Sequence, residues 1–135
     1  MTGVTRIVRG GSGPRRDLRY GRGKVERIAD SELGAKHMDL HVNLLRPGVA
    51  PGPYHRHSTA ENAYYVLSGD VSVVIDEVEH RLGPGDAAFI PPGVAHSVTN
   101  VGNGEARLIE IYAPPDPDFV EVPARVRAQG GANNG

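Results

Sequence analysis

Three of the six histidines stand where a shared cation would need them. His55 and His57 are two apart, so in an extended segment both imidazoles leave the same side of the chain. His96 comes much later, just after Pro91-Pro92-Gly93, a turn able to bring a later strand back beside the first pair. Neutral imidazole is the commonest protein ligand for transition metals, and a three-histidine cluster leaves positions open for water or substrate. Such a donor set suits Fe, Zn, Ni or Cu, with Mn added if a carboxylate such as Glu61 joins. HxH spacing alone is weak evidence, because paired histidines on a strand commonly serve as surface or hydrogen-bonding residues.

The surroundings of these histidines carry more. Gly85, Pro91, Gly93, His96 and Asn100 follow G-x5-P-x-G-x2-H-x3-N, and Gly48, His55, His57, Glu61 and Gly69 approximate G-x5-HxH-x3,4-E-x6-G. With 15 residues between Gly69 and Gly85, the pair resembles the two motifs of the cupin superfamily. The resemblance covers residues 48–100. It implies an all-β fold, the double-stranded β-helix or jelly-roll barrel, usually dimeric, with one divalent metal held by His55, His57 and His96 inside the barrel mouth.

The first motif departs from the pattern twice. Six residues rather than five separate Gly48 from His55, and counting back from Gly69 puts Asn62, not Glu61, where the family has its carboxylate ligand. Either a bulge turns Glu61 inward as a fourth ligand, or Asn62 takes that position in an effectively three-histidine site. The alternatives differ in charge, since a carboxylate would cancel part of the cation's +2.

Further candidates surround this set. Tyr64 shares a strand face with Asn62 and Val66, and with Glu61 it is a candidate proton-transfer residue, provided that its phenol is acidified. His41, Asn43, Phe89 and Tyr112 are candidate substrate contacts, with Tyr54 and Glu110 as further wall residues. His37 and His80 read as surface residues, and Arg56 points away from its flanking histidines.

Short strands must position these groups. His37–Leu45 alternates, Ala63–Leu67 and Val71–Ile75 flank a Ser68-Gly69-Asp70 turn, and His80–Leu82, Ala87–Ile90, His96–Thr99 and Arg107–Tyr112 continue the series. A lone weak helix is expected over Asp30–Lys36. The 18 glycines and 11 prolines supply the turns, which points to an antiparallel sandwich or small barrel.

The 135 residues, 39% hydrophobic and 23% charged, suit one domain. The expected organisation is a basic Gly/Arg-rich arm over 1–24, a barrel over 25–122 and a flexible tail over 123–135. Residues 1–24 hold seven basic residues against one acidic, although the whole chain has a net charge of −1. The arm reads as a segment lying on its own acidic domain or on a neighbouring subunit. A nucleic-acid role lacks a helix-turn-helix pattern, zinc-finger spacing and, at 5% aromatic residues, a stacking surface. With no cysteine, disulfide and thiol chemistry is excluded. GxGxxG, P-loop and GxSxG patterns are absent, and no apolar run or leader-like N-terminus is seen. The expectation is a cytoplasmic homodimer acting on a small molecule: a metal-dependent dioxygenase, or an isomerase, lyase or cyclase with the metal as Lewis acid. The alternative is a cupin that binds or senses a small molecule without turnover.

Overall fold

The computed structural model describes residues 4–123. Eleven strands form two antiparallel sheets whose inner faces enclose the core. In chain order they are β1 (Arg15–Asp17), β2 (Gly23–Ala29), β3 (Asp39–Leu45), β4 (His55–Arg56), β5 (Glu61–Ser68), β6 (Val71–Ile75), β7 (Val78–Leu82), β8 (Ala87–Ile90), β9 (His96–Asn100), β10 (Ala106–Ala113) and β11 (Val120–Glu121). One sheet is ordered β1-β2-β3-β10-β5-β8 and the other β11-β4-β9-β6-β7. This is the all-β jelly roll expected from the sequence.

Alternation along each strand decides what faces inward. Leu45, Tyr64, Val66, Val71, Val73, Ile90, Val98, Ala106 and Leu108 form one buried cluster drawn from both sheets. The sheets are also tied by Asn100, which donates to the carbonyls of Leu45 and Gly104 and accepts from the Gly102 amide. At the β5–β6 turn Gly69 has φ +92°, and a Cβ there would stand 2.8 Å from Ala106, so only glycine fits.

The structure departs from the sequence expectations at the N-terminal side. No helix forms over Asp30–Lys36; the Asp30 carboxylate caps a single turn by accepting from the Leu33 amide, and Gly34, at φ +96°, ends it before a second turn can form. Residues 15–24, placed by the sequence reading in the arm, supply β1 and the start of β2, with Arg15–Asp17 opposite Lys24–Glu26. Exposed Arg15, Arg16 and Asp17 show no apolar alternation because backbone pairing alone makes β1 a strand. The tail expected beyond residue 123 lies outside the described residues. No helix among the described residues is long and apolar enough to cross a membrane.

Candidate metal centre and cavity

His55 on β4 lies opposite His96 on β9, and His57 follows immediately after β4. Sheet register thus supplies the proximity that sequence spacing only suggested. Each ring uses Nδ1 on a backbone carbonyl: His55 on Pro53 at 2.8 Å, His57 on Asp118 at 2.6 Å and His96 on Val94 at 2.9 Å. A carbonyl only accepts, so each Nδ1 carries a proton, which in the neutral ring leaves the lone pair on Nε2. One ligand atom from each ring lies within 4.8 Å of those of the other two. The Nε2 atoms of His57 and His96 are buried without a hydrogen-bond partner among the described residues. Orphaned acceptors of this kind are costly in a native interior unless something binds them. Burial lowers the pKa of His55 to about 4 and also lowers that of His96, so both stay neutral as a metal ligand must. The donor set fits a divalent cation with open positions.

The question of the fourth ligand is decided by strand alternation. Glu61 is exposed on the outer face of β5, whereas Asn62 is 1% exposed and faces inward. The bulge that would have turned Glu61 inward is absent there; the irregularity in the β5–β10 register lies at the other end, opposite Arg107/Leu108. Glu61 is therefore outside the centre, both as ligand and as proton-transfer group. Asn62 donates its amide to Glu110 Oε2 at 2.9 Å and to the Ile111 carbonyl at 3.0 Å, leaving a histidine triad with no carboxylate in the group.

The interior carboxylate comes instead from Glu110 on β10. Its Oε1 accepts from His41 Nε2 at 3.0 Å and Asn43 Nδ2 at 2.8 Å. Burial opposes its charge, but the hydrogen bonds and the His41 charge outweigh burial and hold Glu110 well below the usual carboxylate range. His41 also meets Asp39 Oδ1 at 2.7 Å. Although burial pulls its pKa down, the two acidic partners raise it to about 9. His41 is thus an imidazolium at neutral pH, clamped between Asp39 and Glu110. Burial and the nearby Glu110 push the phenols of Tyr64 and Tyr112 well above their ordinary value. From the protein's own groups alone both tyrosines keep their protons, and the acidification that proton transfer by Tyr64 would need has no source among them.

A cavity of about 290 Å³ unites these groups. His55, His57, Tyr64, His41, Asn43, Glu110 and Tyr112 line it, with Val25, Leu45 and Val98 as apolar wall and Arg16, Arg19, Arg22, Asp116 and Phe119 also contributing. Phe119 stacks on His55 with ring centroids 4.1 Å apart and planes at 15°. Of the residues named from sequence as substrate contacts, His41, Asn43 and Tyr112 line the cavity. Phe89 does not: it is 60% exposed on the outer face of β8. Tyr54 lies elsewhere as well, its hydroxyl accepting from the Glu77 amide. His37 and His80 are exposed, as expected. Sequence reasoning missed Asp39, Phe119 and the three arginines. Asp39 was recoverable from its alternation with His41 and Asn43, whereas Phe119 follows Pro114 and Pro117 in a segment without strand pattern.

A family model described as Cupin domain matches residues 42–112, more than half of the chain. The chain belongs to the cupin family. Among curated proteins, this cupin is 36% identical over 97 residues to Protein SchB of Streptomyces halstedii, covering 70% of each chain. It is 35% identical over 92 residues to Germin-like protein subfamily T member 3 of Arabidopsis thaliana, covering 62% of this chain but only 40% of the plant protein. Among solved structures, it resembles the polyketide cyclase RemF from Streptomyces resistomycificus with a TM-score of 0.75 at 23% identity, over 91% of this chain and 88% of that one.

Proposed function

We propose that this cupin is a metal-dependent enzyme acting on a small organic molecule, in the cyclase, isomerase or lyase class. The observation that carries the reading is the convergence of the three imidazoles, each locked by its Nδ1 on a backbone carbonyl so that Nε2 faces a common point. A divalent cation held by His55, His57 and His96 would supply Lewis-acid polarisation of a substrate oxygen, with its charge undiminished by any ligating carboxylate. Tyr64 and Tyr112, protonated and cavity-lining, are O–H donors for a substrate oxygen. Glu110, backed by His41, gives the wall a fixed buried charge and holds Asn43 and Asn62 in place. Likeness to RemF, a polyketide cyclase, accords with this class of reaction. The outer faces of β5 and β8 carry exposed Tyr65, Leu67 and Phe89, and we assign that surface to a second copy of the chain.

The test is elemental analysis of untagged protein, before chelation and after reconstitution, followed by oxygen-uptake and product assays on diketones and polyketide-like polycarbonyls. About one equivalent of zinc, nickel or manganese per chain, with cyclised or isomerised product and no oxygen uptake, is the expected result. Iron with substrate-dependent oxygen uptake would replace the reading with a dioxygenase. Failure to hold metal after reconstitution would leave a cupin that binds without turnover.

A further inference from the structure

We propose that Arg22, assisted by Arg19, forms a carboxylate-recognition site in the cavity, so that the substrate is a small organic acid. The inference rests on the proposed enzymatic reading and names its substrate class, but its physical basis lies in the N-terminal strands rather than in the histidines.

Arg22 is 8% exposed, yet among the described residues it makes no ion pair. Its Nη2 donates to the Val98 carbonyl at 2.9 Å, and Arg22 is among the residues that line the cavity. The slot is built for it: a Cβ on Gly52 would lie 2.8 Å from Arg22 Nη2 and 2.3 Å from the Val98 carbonyl oxygen. A buried guanidinium without a carboxylate is expensive, and its planar fork matches a carboxylate in a two-pronged hydrogen bond. Arg19 lies 4.0 Å over the ring of Phe119, which also stacks on His55 and meets His57 edge-on. The same aromatic thus places a second cation beside the metal-binding histidines.

The acidic groups around the cavity cancel these arginines only in part. Asp17 is paired with Lys24, and Asp39 and Glu110 flank the single His41 cation with one negative charge in excess, which Arg22 feels from Glu110. With Asp116 on the same wall, two acidic charges stand against the three of Arg16, Arg19 and Arg22, and the wall stays net positive. The segment bearing the arginines is anchored. Leu18 donates its amide to Gly23, Arg46 donates its amide to Arg22, Arg46 Nη1 donates to Gly21, and Tyr20 donates its hydroxyl to Glu121. A Cβ on Gly23 would lie 1.9 Å from the Leu44 carbonyl oxygen, so the chain presses against β3 here with no room to shift. Fixed donors of this kind bind an anion without an ordering cost. A carboxylate at Arg22 leaves the rest of the molecule to reach the histidines across the same cavity.

The experiment compares benzoate with benzamide, which differ in charge at nearly the same shape, by ligand-observed NMR titration of the full chain, zinc-loaded and after chelation. Benzoate is expected to bind at least about tenfold more tightly than benzamide in both forms. Arg22→Gln should remove that preference with zinc stoichiometry unchanged, and Arg19→Gln, on an exposed residue with little effect on folding, should reduce it. Equal affinity for the two probes, a benzoate preference that vanishes with the zinc, or unchanged preference in both variants would each overturn the proposal. If zinc fails to bind but the Arg22-dependent preference persists, the metal reading falls and the carboxylate site stands.

Discussion

Replacing Glu110 by Gln probes the group around which the polar interior is organised. The carboxylate accepts from His41, Asn43 and Asn62, and a glutamine would turn an NH2 toward at least one of those donors. It would also leave the His41 imidazolium, 3% exposed, with Asp39 as its one charged partner at hydrogen-bond distance. Removing one member of a buried ion pair costs about 3–5 kcal/mol, a large part of a domain's total stability. The pH dependence separates this effect from simple mispacking. His41 titrates near 9 in the folded protein against 6.5 for a free side chain. Because the folded value is the higher, its contribution is complete below pH 6.5 and is lost as pH rises through 9. The difference corresponds to about 3 kcal/mol. The depressed Glu110 and His55 act below this window, and Tyr64 and Tyr112 above it. Urea unfolding with chelator, at intervals from about pH 6.5 to 9.5, should show the wild type losing roughly 3 kcal/mol and Glu110→Gln starting lower with a much shallower decline. A flat wild-type profile would mean that His41 is neutral in the folded state. A variant within about 1 kcal/mol of wild type would refute the buried pair as a stabilising unit.

Other expectations follow from the same geometry. His96→Ala, which removes one of the three converging rings, should abolish stoichiometric zinc binding measured by elemental analysis while the far-UV circular dichroism spectrum is retained. Since burial lowers the pKa of His55 to about 4 and lowers that of His96 as well, protons compete weakly for two of the three ligands and zinc should be released only well below pH 6.5; release with a midpoint near 6.5 by equilibrium dialysis would contradict the assigned environment. Leu108→Ala, at 0% exposure in the centre of the core, should cost about 2–5 kcal/mol in urea unfolding. Phe89→Glu should convert a dimer to a monomer in sedimentation velocity without loss of zinc, and a wild type already monomeric would remove the assignment of that face.

The sequence alone was sufficient for β3, for the series from β5 to β10 and for grouping the three histidines, but the short β4 that carries His55 was not among the strands it marked. Strand alternation is local, and the motif glycines stand where the turns require them, as Gly69 does with φ +92°. Inward placement of Asn62 was available as one of two alternatives, and only the β5 register, regular at Glu61 and irregular opposite Arg107/Leu108, decided between them. Tertiary structure alone supplied the pairing of Glu110 with His41, 69 residues apart in the chain, which makes the first an ionised buried carboxylate and the second a cation at neutral pH. It alone brought Arg19 and Arg22 into the cavity, because β1 and the start of β2 are held by backbone pairing that leaves no hydrophobic signature. Residue type and spacing determine which groups can bind a metal. Burial, register and long-range charge determine their protonation and what else shares the cavity, because those effects depend on groups far apart in the chain.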